Sequence, residues 1–327
     1  MNSFPGTLLN VSFLKMKLNL TQVLKNSRAL LTNSSKIFVA NSPTTDYNTV
    51  ISICAVNSPF SLTTFLANTV VLSAFYKTSN LHSPTNILLA CLTASDLAVG
   101  LVVQPLFMLY HAARLPDCQV DFDVISKVFS ISSYWLCSDS FAIVTAVGVD
   151  RLLALELHLR YNELVTNSRT GYIVFLIWVV CGLLSGTRQL NDKLFFSLLA
   201  LLIMTCLFGT FFVYFRIYGI VHRHRAQIHA QEVSRRGIAN LAAVERLKKS
   251  AVSIFYVYCF FLLCYVPYLS AVISLFVMGK RPPVVFNVTV TIVYINSTLN
   301  PLLYCWRIRE IRKAVKQTLF RLLCPRP

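Results

Sequence analysis

Residues 194–215 read Leu194-Phe-Phe-Ser-Leu-Leu-Ala-Leu-Leu-Ile-Met-Thr-Cys-Leu-Phe-Gly-Thr-Phe-Phe-Val-Tyr-Phe215, without a charged side chain. A helix of that length rises about 33 Å at 1.5 Å per residue, enough to cross the hydrocarbon core of a bilayer. It belongs to one of seven such stretches: Val50–Tyr76, Pro84–His111, Ile125–Leu157, Thr170–Thr187, Leu194–Ile220, Ala251–Phe276 and Val284–Cys305. The whole chain agrees with it. Of 327 residues, 55% are hydrophobic and 13% charged, where a soluble domain carries about 25% charge; the mean hydropathy is +0.61. Hydrophobicity excludes disorder, and length excludes a small disulfide scaffold. A soluble α/β core would break its apolar runs into strands of about 4–8 residues, whereas turn signals here come roughly every 30 to 40. The sequence predicts an all-α membrane protein, a bundle of seven transmembrane helices with a short amphipathic eighth helix. Residues 1–49 read as a flexible outer tail, 50–305 as the bundle, and 306–327 as the amphipathic helix and cytosolic tail.

Pro59, Pro105, Pro267 and Pro301 fall inside apolar stretches, where membrane helices tolerate them if neighbours satisfy the freed carbonyls. Each predicts a bend. Pro84 and Pro283 stand instead at first turns, where the missing N–H costs nothing. With the first 49 residues outside, the cytosolic pieces hold 19 basic and six acidic residues, and the outer pieces 11 and five. The positive-inside rule then places the N-terminus outside and the C-terminus in the cytosol of a multi-pass plasma-membrane protein. Asn10, Asn19 and Asn33 open glycosylation triplets in the outer tail and point the same way. No clean signal-peptide core precedes the first stretch, so that stretch is expected to direct insertion. Eight of the ten cysteines lie in spans, Cys118 in an outer loop and Cys324 in the cytosolic tail, so no outer disulfide is expected. No metal-ligand spacing occurs, and no basic patch is interleaved with aromatics as nucleic-acid binding would need.

Seven local patterns then fall in order, one in each span. Asn68 lies in the first span. Asn80-Leu-His-Ser-Pro84 leads into Leu92-Thr-Ala-Ser-Asp96 in the second. Asp150-Arg151-Leu152 closes the third, and Trp178 sits in the fourth. Tyr214 lies low in the fifth, and Phe261-Leu-Leu-Cys-Tyr-Val-Pro-Tyr268 runs through the sixth. Asn300-Pro-Leu-Leu-Tyr304 ends the seventh. Over residues 50 to 324 the chain resembles the rhodopsin-like (class A) G-protein-coupled receptors. The Asn-Leu-His-Ser-Pro joint, the short link between the fourth and fifth spans, and Cys206 look most like the melanocortin receptors, within their group with adenosine, cannabinoid and lysophospholipid receptors. Ser126, where most members carry a disulfide cysteine, fits that group. Asn300-Pro301 departs from the Asp-Pro of melanocortin receptors.

Asp96 is the sharpest site, because a carboxylate inside a membrane needs a partner or water. The family pattern gathers Asn68, Ser140, Asn296, Ser297 and Asn300 around it. Buried oxygens beside one acid suit a small hard cation, and the resemblance implies an allosteric Na⁺ in the inactive state. The other reading is a polar network around a protonated Asp96. Asp139, adjacent to Ser140 and about 100° round the helix from it, either joins that network or pairs elsewhere, for instance toward the fourth span.

By the resemblance, Asp150 holds Arg151 at rest, and Arg151 receives the G protein when the bundle opens. Leu247, between Arg246 and Lys248, replaces the acid that often restrains this arginine, so elevated ligand-free signalling is expected. Phe261, Tyr265 and Pro267 make the expected bend and aromatic switch of the sixth span, with Tyr265 in place of the usual tryptophan. Asn300, Pro301 and Tyr304 repeat the logic in the seventh, where Tyr304 can swing to meet Tyr214. After Cys305, Ile308, Ile311, Val315 and Leu319 alternate with Arg309, Arg312, Lys313 and Lys316 as in a basic amphipathic helix lying on anionic lipid, with Cys324 a palmitoylation candidate.

Ser130, Ser133, Tyr268, Val272 and Tyr294 are the candidate ligand-pocket residues. Ser133 stands where amine receptors keep an aspartate, and Tyr294 where retinal proteins keep a lysine, which argues against both ligands. Leu106, Ser126 and Ser130 replace the three acids that melanocortin receptors use. The implied partners are a heterotrimeric G protein, arrestin, a receptor kinase, membrane lipids and an unknown outer ligand. The alternative is a constitutively active or ligandless receptor acting in heterodimers. A transporter would show internal repeats, and an enzyme an acid–base cluster. Neither pattern is present, so no enzymatic activity is expected.

Overall fold

The computed structural model describes residues 46–78, 83–116, 118–157, 160–230, 259–274 and 283–323. Asn10, Asn19, Asn33, Cys324, Leu247 with its basic neighbours, and residues 80–82 of the first inner joint lie outside the described residues. The described elements are helices: α1 (Tyr47–Lys77), α2 (Pro84–Ala112), α3 (Phe122–Leu157), α4 (Asn167–Thr187), α5 (Asp192–Ala230), α6 (Cys259–Ser274), α7 (Pro283–Arg307) and α8 (Arg309–Leu323). A one-turn helix, Tyr161–Leu164, lies between α3 and α4.

By length and composition α1, α2, α4 and α5 can each cross a membrane unaided. Helices α3 and α7, with 36 and 25 residues, are long enough too. Their inward faces carry Asp139, Ser140, Asn296 and Asn300, all buried, which dilutes their hydropathy. With α6 these helices form the seven-helix membrane bundle. Large apolar side chains such as Leu62, Leu66, Phe208, Phe211, Phe215 and Leu302 point outward, as they would toward lipid. The end of the bundle at which α1 starts is its upper end.

Helix ends overrun the apolar stretches because capping side chains extend them. Asp121 Oδ1 accepts the backbone N–H of Asp123 at 2.9 Å and of Val124 at 3.4 Å, so α3 begins at Phe122 rather than Ile125. Asn191 Oδ1 does the same for Lys193 and Leu194 at the start of α5, at 2.9 and 3.2 Å. Each such cap contributes about 1 kcal/mol. At its other end α5 continues to Ala230, through basic residues that hydropathy does not register.

Helix α2 departs from regular geometry. Val99–Val103 forms a π-helical turn immediately before Pro105, and the N–H of Gln104 bonds to the carbonyl of Val99. That leaves the Gly100 carbonyl without a main-chain donor, because residue 105 is a proline. Ser61 Oγ of α1 donates to it at 2.7 Å. Gly100 also lets α2 approach α1 closely: a Cβ there would lie 2.9 Å from the Phe65 nitrogen and the Thr64 side chain.

Two larger apolar clusters stack along the bundle, and a third, of Leu152, Leu155, Val213 and Ile217, joins α3 to α5. The upper one gathers Ile53, Val99, Val103, Phe107, Leu136, Val290, Val293 and Tyr294. The lower one includes Leu92, Phe141, Phe261 and Tyr304, together with Ile311, Ala314 and Val315 of α8. The buried face of α8 is thus Ile311, Ala314, Val315 and Thr318, packed into the protein. Leu319, expected on the apolar face, is 38% exposed beside Phe320. The apolar stripe divides, because its first two turns are close enough to the bundle to bury.

Candidate functional site

Between the clusters lies a polar layer. Asp96 is fully buried, and Asn300 Nδ2 donates to its Oδ2 at 2.8 Å. Asn68 Nδ2 donates to the Ser297 carbonyl at 3.1 Å, and the hydroxyls of Thr64 and Thr298 meet at 2.5 Å. Helices α1, α2 and α7 are thereby tied together at one depth. Asp96 Oδ1, Asn68 Oδ1, Asn296 Oδ1, Asn300 Oδ1 and Ser140 Oγ are buried with no hydrogen-bond partner. Ser297, also buried, stands beside Asp96. Hard cations take oxygen ligands; Asp96, with Asn300 and Ser297 beside it, offers a carboxylate and oxygens of that kind.

Asp139 is equally buried but is held elsewhere. Ser95 Oγ of α2 donates to its Oδ2, and its Oδ1 has no partner. Cys91 and Cys181 stand nearby, which sets this acid at the junction of α2, α3 and α4.

At the lower end Asp150 is gripped by neutral donors more than by its adjacent arginine. Thr85 Oγ1 of α2 donates to Asp150 Oδ2 at 2.5 Å, and the Tyr161 hydroxyl donates to Oδ1 at 2.6 Å. Burial, then the hydrogen bond and charge of Asp150, push the Tyr161 hydroxyl above its ordinary range, so it stays a donor. Arg151 Nε lies 3.8 Å from Asp150 Oδ2, a loose contact, and that nitrogen makes no hydrogen bond. One turn beyond, Arg216 of α5 reaches Glu156 Oε1 of α3 with Nη2 at 2.6 Å and Nε at 3.1 Å.

The aromatic residues of the inner face converge. Phe261 and Tyr265 stack at 4.4 Å, and Phe141 lies 5.3 and 5.8 Å from them. The Tyr265 hydroxyl donates to the Cys137 carbonyl at 3.4 Å, two residues before Pro267. Tyr304 is buried in the same cluster with its hydroxyl unpartnered, and Tyr214 packs against that cluster. Pro301 is buried within α7.

At the upper end Ser133 and Tyr294 share a hydrogen bond of 2.9 Å, and Tyr268 meets Tyr134 at 3.3 Å. Ser130 and Val272 are half-buried. Arg188, in the short α4–α5 link, lies over the rings of Tyr134, Phe195 and Phe196 at 5.2 to 5.6 Å.

Sequence reasoning missed Thr85, Tyr161, Gln104, His111 and Arg188. Thr85 and Tyr161 act across elements and carry no local signal. Gln104 and His111 did carry one: they are polar residues seven apart in an apolar stretch, which on a helix is one face.

A family model described as 7 transmembrane receptor (rhodopsin family) matches residues 67–192 and 185–304. Melanocortin receptor 3 of Mus musculus is 23% identical over 271 residues, covering 79% of this chain and 82% of that protein.

Proposed function

Because the chain belongs to the rhodopsin family of seven-transmembrane receptors, we propose that it transmits an outer ligand's signal to a heterotrimeric G protein at the lower, cytosolic end. The observation that carries this reading is the state of Arg151. Its neighbour Asp150 is occupied by Thr85 and Tyr161, and the arginine itself has only a 3.8 Å contact to that acid. A half-buried guanidinium so loosely held is ready to extend and receive backbone carbonyls of a partner. Opening follows from the prolines. Pro267 removes a main-chain donor from α6, so the part below it can swing outward while the Phe261–Tyr265–Phe141 cluster repacks. Pro301 gives α7 the same freedom and lets Tyr304 move toward Tyr214.

Asp96, Ser140, Asn296, Ser297 and Asn300, with Asn68, are the residues that would hold Na⁺. The ion would supply the charge that compensates Asp96. The protein's own part is to present oxygens at one depth across α1, α2, α3 and α7 and to anchor Asp96 to Asn300.

A second reading, signalling without ligand or within heterodimers, is favoured by Arg151's loose tether and by Leu247 in place of a restraining acid. The test is a panel of Gα sensors in cells at matched surface expression, with and without candidate ligands. At least one sensor should respond, and Arg151→Ala should abolish the response. A panel silent in every arm, or a response indifferent to Arg151→Ala, overturns the proposal.

A further inference from the structure

We infer that the upper half of the bundle holds a ligand subsite on the α2 face Gln104–Phe107–His111, shaped for the uncharged hydrogen-bonding head of an amphiphilic ligand. The inference deepens the receptor reading and rests on it.

The π turn sets the site up. One extra residue in the turn Val99–Val103 rotates the rest of α2 by about 100° relative to a regular helix. Such turns are frequent at functional positions. In this phase Gln104, Phe107 and His111 all face inward, with exposures of 0, 2 and 2%. Gln104 lies about two turns below the top of α2. Asn57 of α1, one turn from Ile53 of the upper cluster, donates to Thr291 of α7, next to Val290 of the same cluster, at 3.3 Å.

These side chains carry polar atoms that make no hydrogen bond within the protein. Both amide atoms of Gln104, both ring nitrogens of His111 and Asn57 Oδ1 are buried without a partner. Buried amides and imidazoles are otherwise hydrogen-bonded, since desolvating them alone is costly. Three of the residues expected to meet the ligand are already engaged, Ser133 with Tyr294 and Tyr268 with Tyr134. Open hydrogen-bonding atoms at this end therefore sit on Gln104 and His111 of α2 and on Asn57 of α1, with Arg188 Nη1 a fourth in the α4–α5 link, over the rings of Tyr134, Phe195 and Phe196.

The surroundings decide the chemistry. Phe107 stands edge-on to His111 at 4.8 Å and to Tyr294 at 5.5 Å, with Phe129 at 5.7 Å. Ile53, Val290 and Val293 complete an apolar wall. Among the described residues the upper acids Asp46, Asp121, Asp123 and Asp192 are exposed, so none is buried here to pair a cationic head. Arg114, one turn above His111, is stacked over Tyr110 at 4.9 Å and Phe122 at 5.5 Å. Gln104 offers a donor side and an acceptor side, and so does an imidazole in its neutral form. That matches an amide or hydroxyl head, with the tail among the aromatic rings.

The experiment compares three probes of one chain length, decanamide, decanoic acid and decylamine, on the purified full-length receptor in nanodiscs. Thermal unfolding is the readout, so no G protein is needed and failure here is separable from failure of coupling. Decanamide should raise the Tm most, and Gln104→Leu or His111→Phe should weaken its apparent affinity at least tenfold. Without probe, Gln104→Leu should leave Tm unchanged or higher, because it removes orphaned polar atoms. Gln104→Met serves if the leucine variant does not fold. Equal shifts from all three heads, no shift from any, a larger shift from the acid or amine, or a lowered Tm of the unliganded variants would each overturn the subsite. The last would mark a structural water network instead.

Discussion

Arg216 of α5 binds the Glu156 carboxylate of α3 through two nitrogens, at 2.6 and 3.1 Å. It does so at the end of the bundle where Arg151 and Asp150 lie. The sequence places Leu247, not an acid, where the sixth span often restrains the arginine of the third. The ionic tie across this end, among the described residues, therefore joins α3 to α5. Glu156 is 31% and Arg216 52% exposed, so screening limits the pair to roughly 0.2–1 kcal/mol. Glu156→Gln is expected to raise basal G-protein activation by up to about fivefold. The double swap Glu156→Arg with Arg216→Glu should return it to the parent level. Basal activity unchanged in the single variant would remove the tie from the account.

Asp150 depends on two neutral donors. Removing one hydrogen bond to a charged group costs about 1.5–3 kcal/mol. Tyr161→Phe and Thr85→Val should each lower the unfolding temperature of the purified receptor and raise its ligand-free activity. Stability and basal signalling equal to the parent in both variants would show that Asp150 is held by something else.

Asp96 should couple sodium to signalling. If it carries the charge that Na⁺ compensates, Asp96→Asn removes any difference in agonist potency or basal output between sodium and N-methylglucamine buffers. An Asp139→Asn receptor, whose acid is held by Ser95 instead, should retain the sodium effect. Loss in the second and retention in the first would reverse the two assignments.

Gly100 tests the contact of α1 with α2. A methyl group there meets the Phe65 nitrogen and Thr64 at 2.9 Å, and backbone cannot step aside cheaply. Gly100→Ala should cost about 1–3 kcal/mol and reduce surface expression. Gly186→Ala, with nothing within 4 Å, should not. Comparable expression of the two would contradict the close approach.

The spans were legible because membrane crossing is a matter of length and apolarity, both written locally. Asp96 was legible too, since an acid in hydrocarbon stands out, whereas Asn300 and Asn68 came from the family pattern. The π turn was not. Pro105 announces a bend, but whether the bend widens or tightens depends on Ser61 offering a hydroxyl to Gly100 from another helix. With the phase unknown, the inward turn of Gln104 and His111 could not be read. The same holds for Thr85 and Tyr161, which reach Asp150 from two other elements. The packed face of α8 escaped for a related reason: periodicity gives a stripe, and only the neighbouring helix decides which part of it is covered.

The central claim is that the lower end of the bundle opens to admit a G protein. Nitroxide labels at Asn162, in the exposed turn after α3, and at Lys249, in the segment leading into α6, measure it directly in a cysteine-depleted receptor. Adding nucleotide-free G protein should shift the distance distribution between them to longer values, and Arg151→Ala should suppress that shift. A distribution that stays put while the G protein is demonstrably bound would contradict the account.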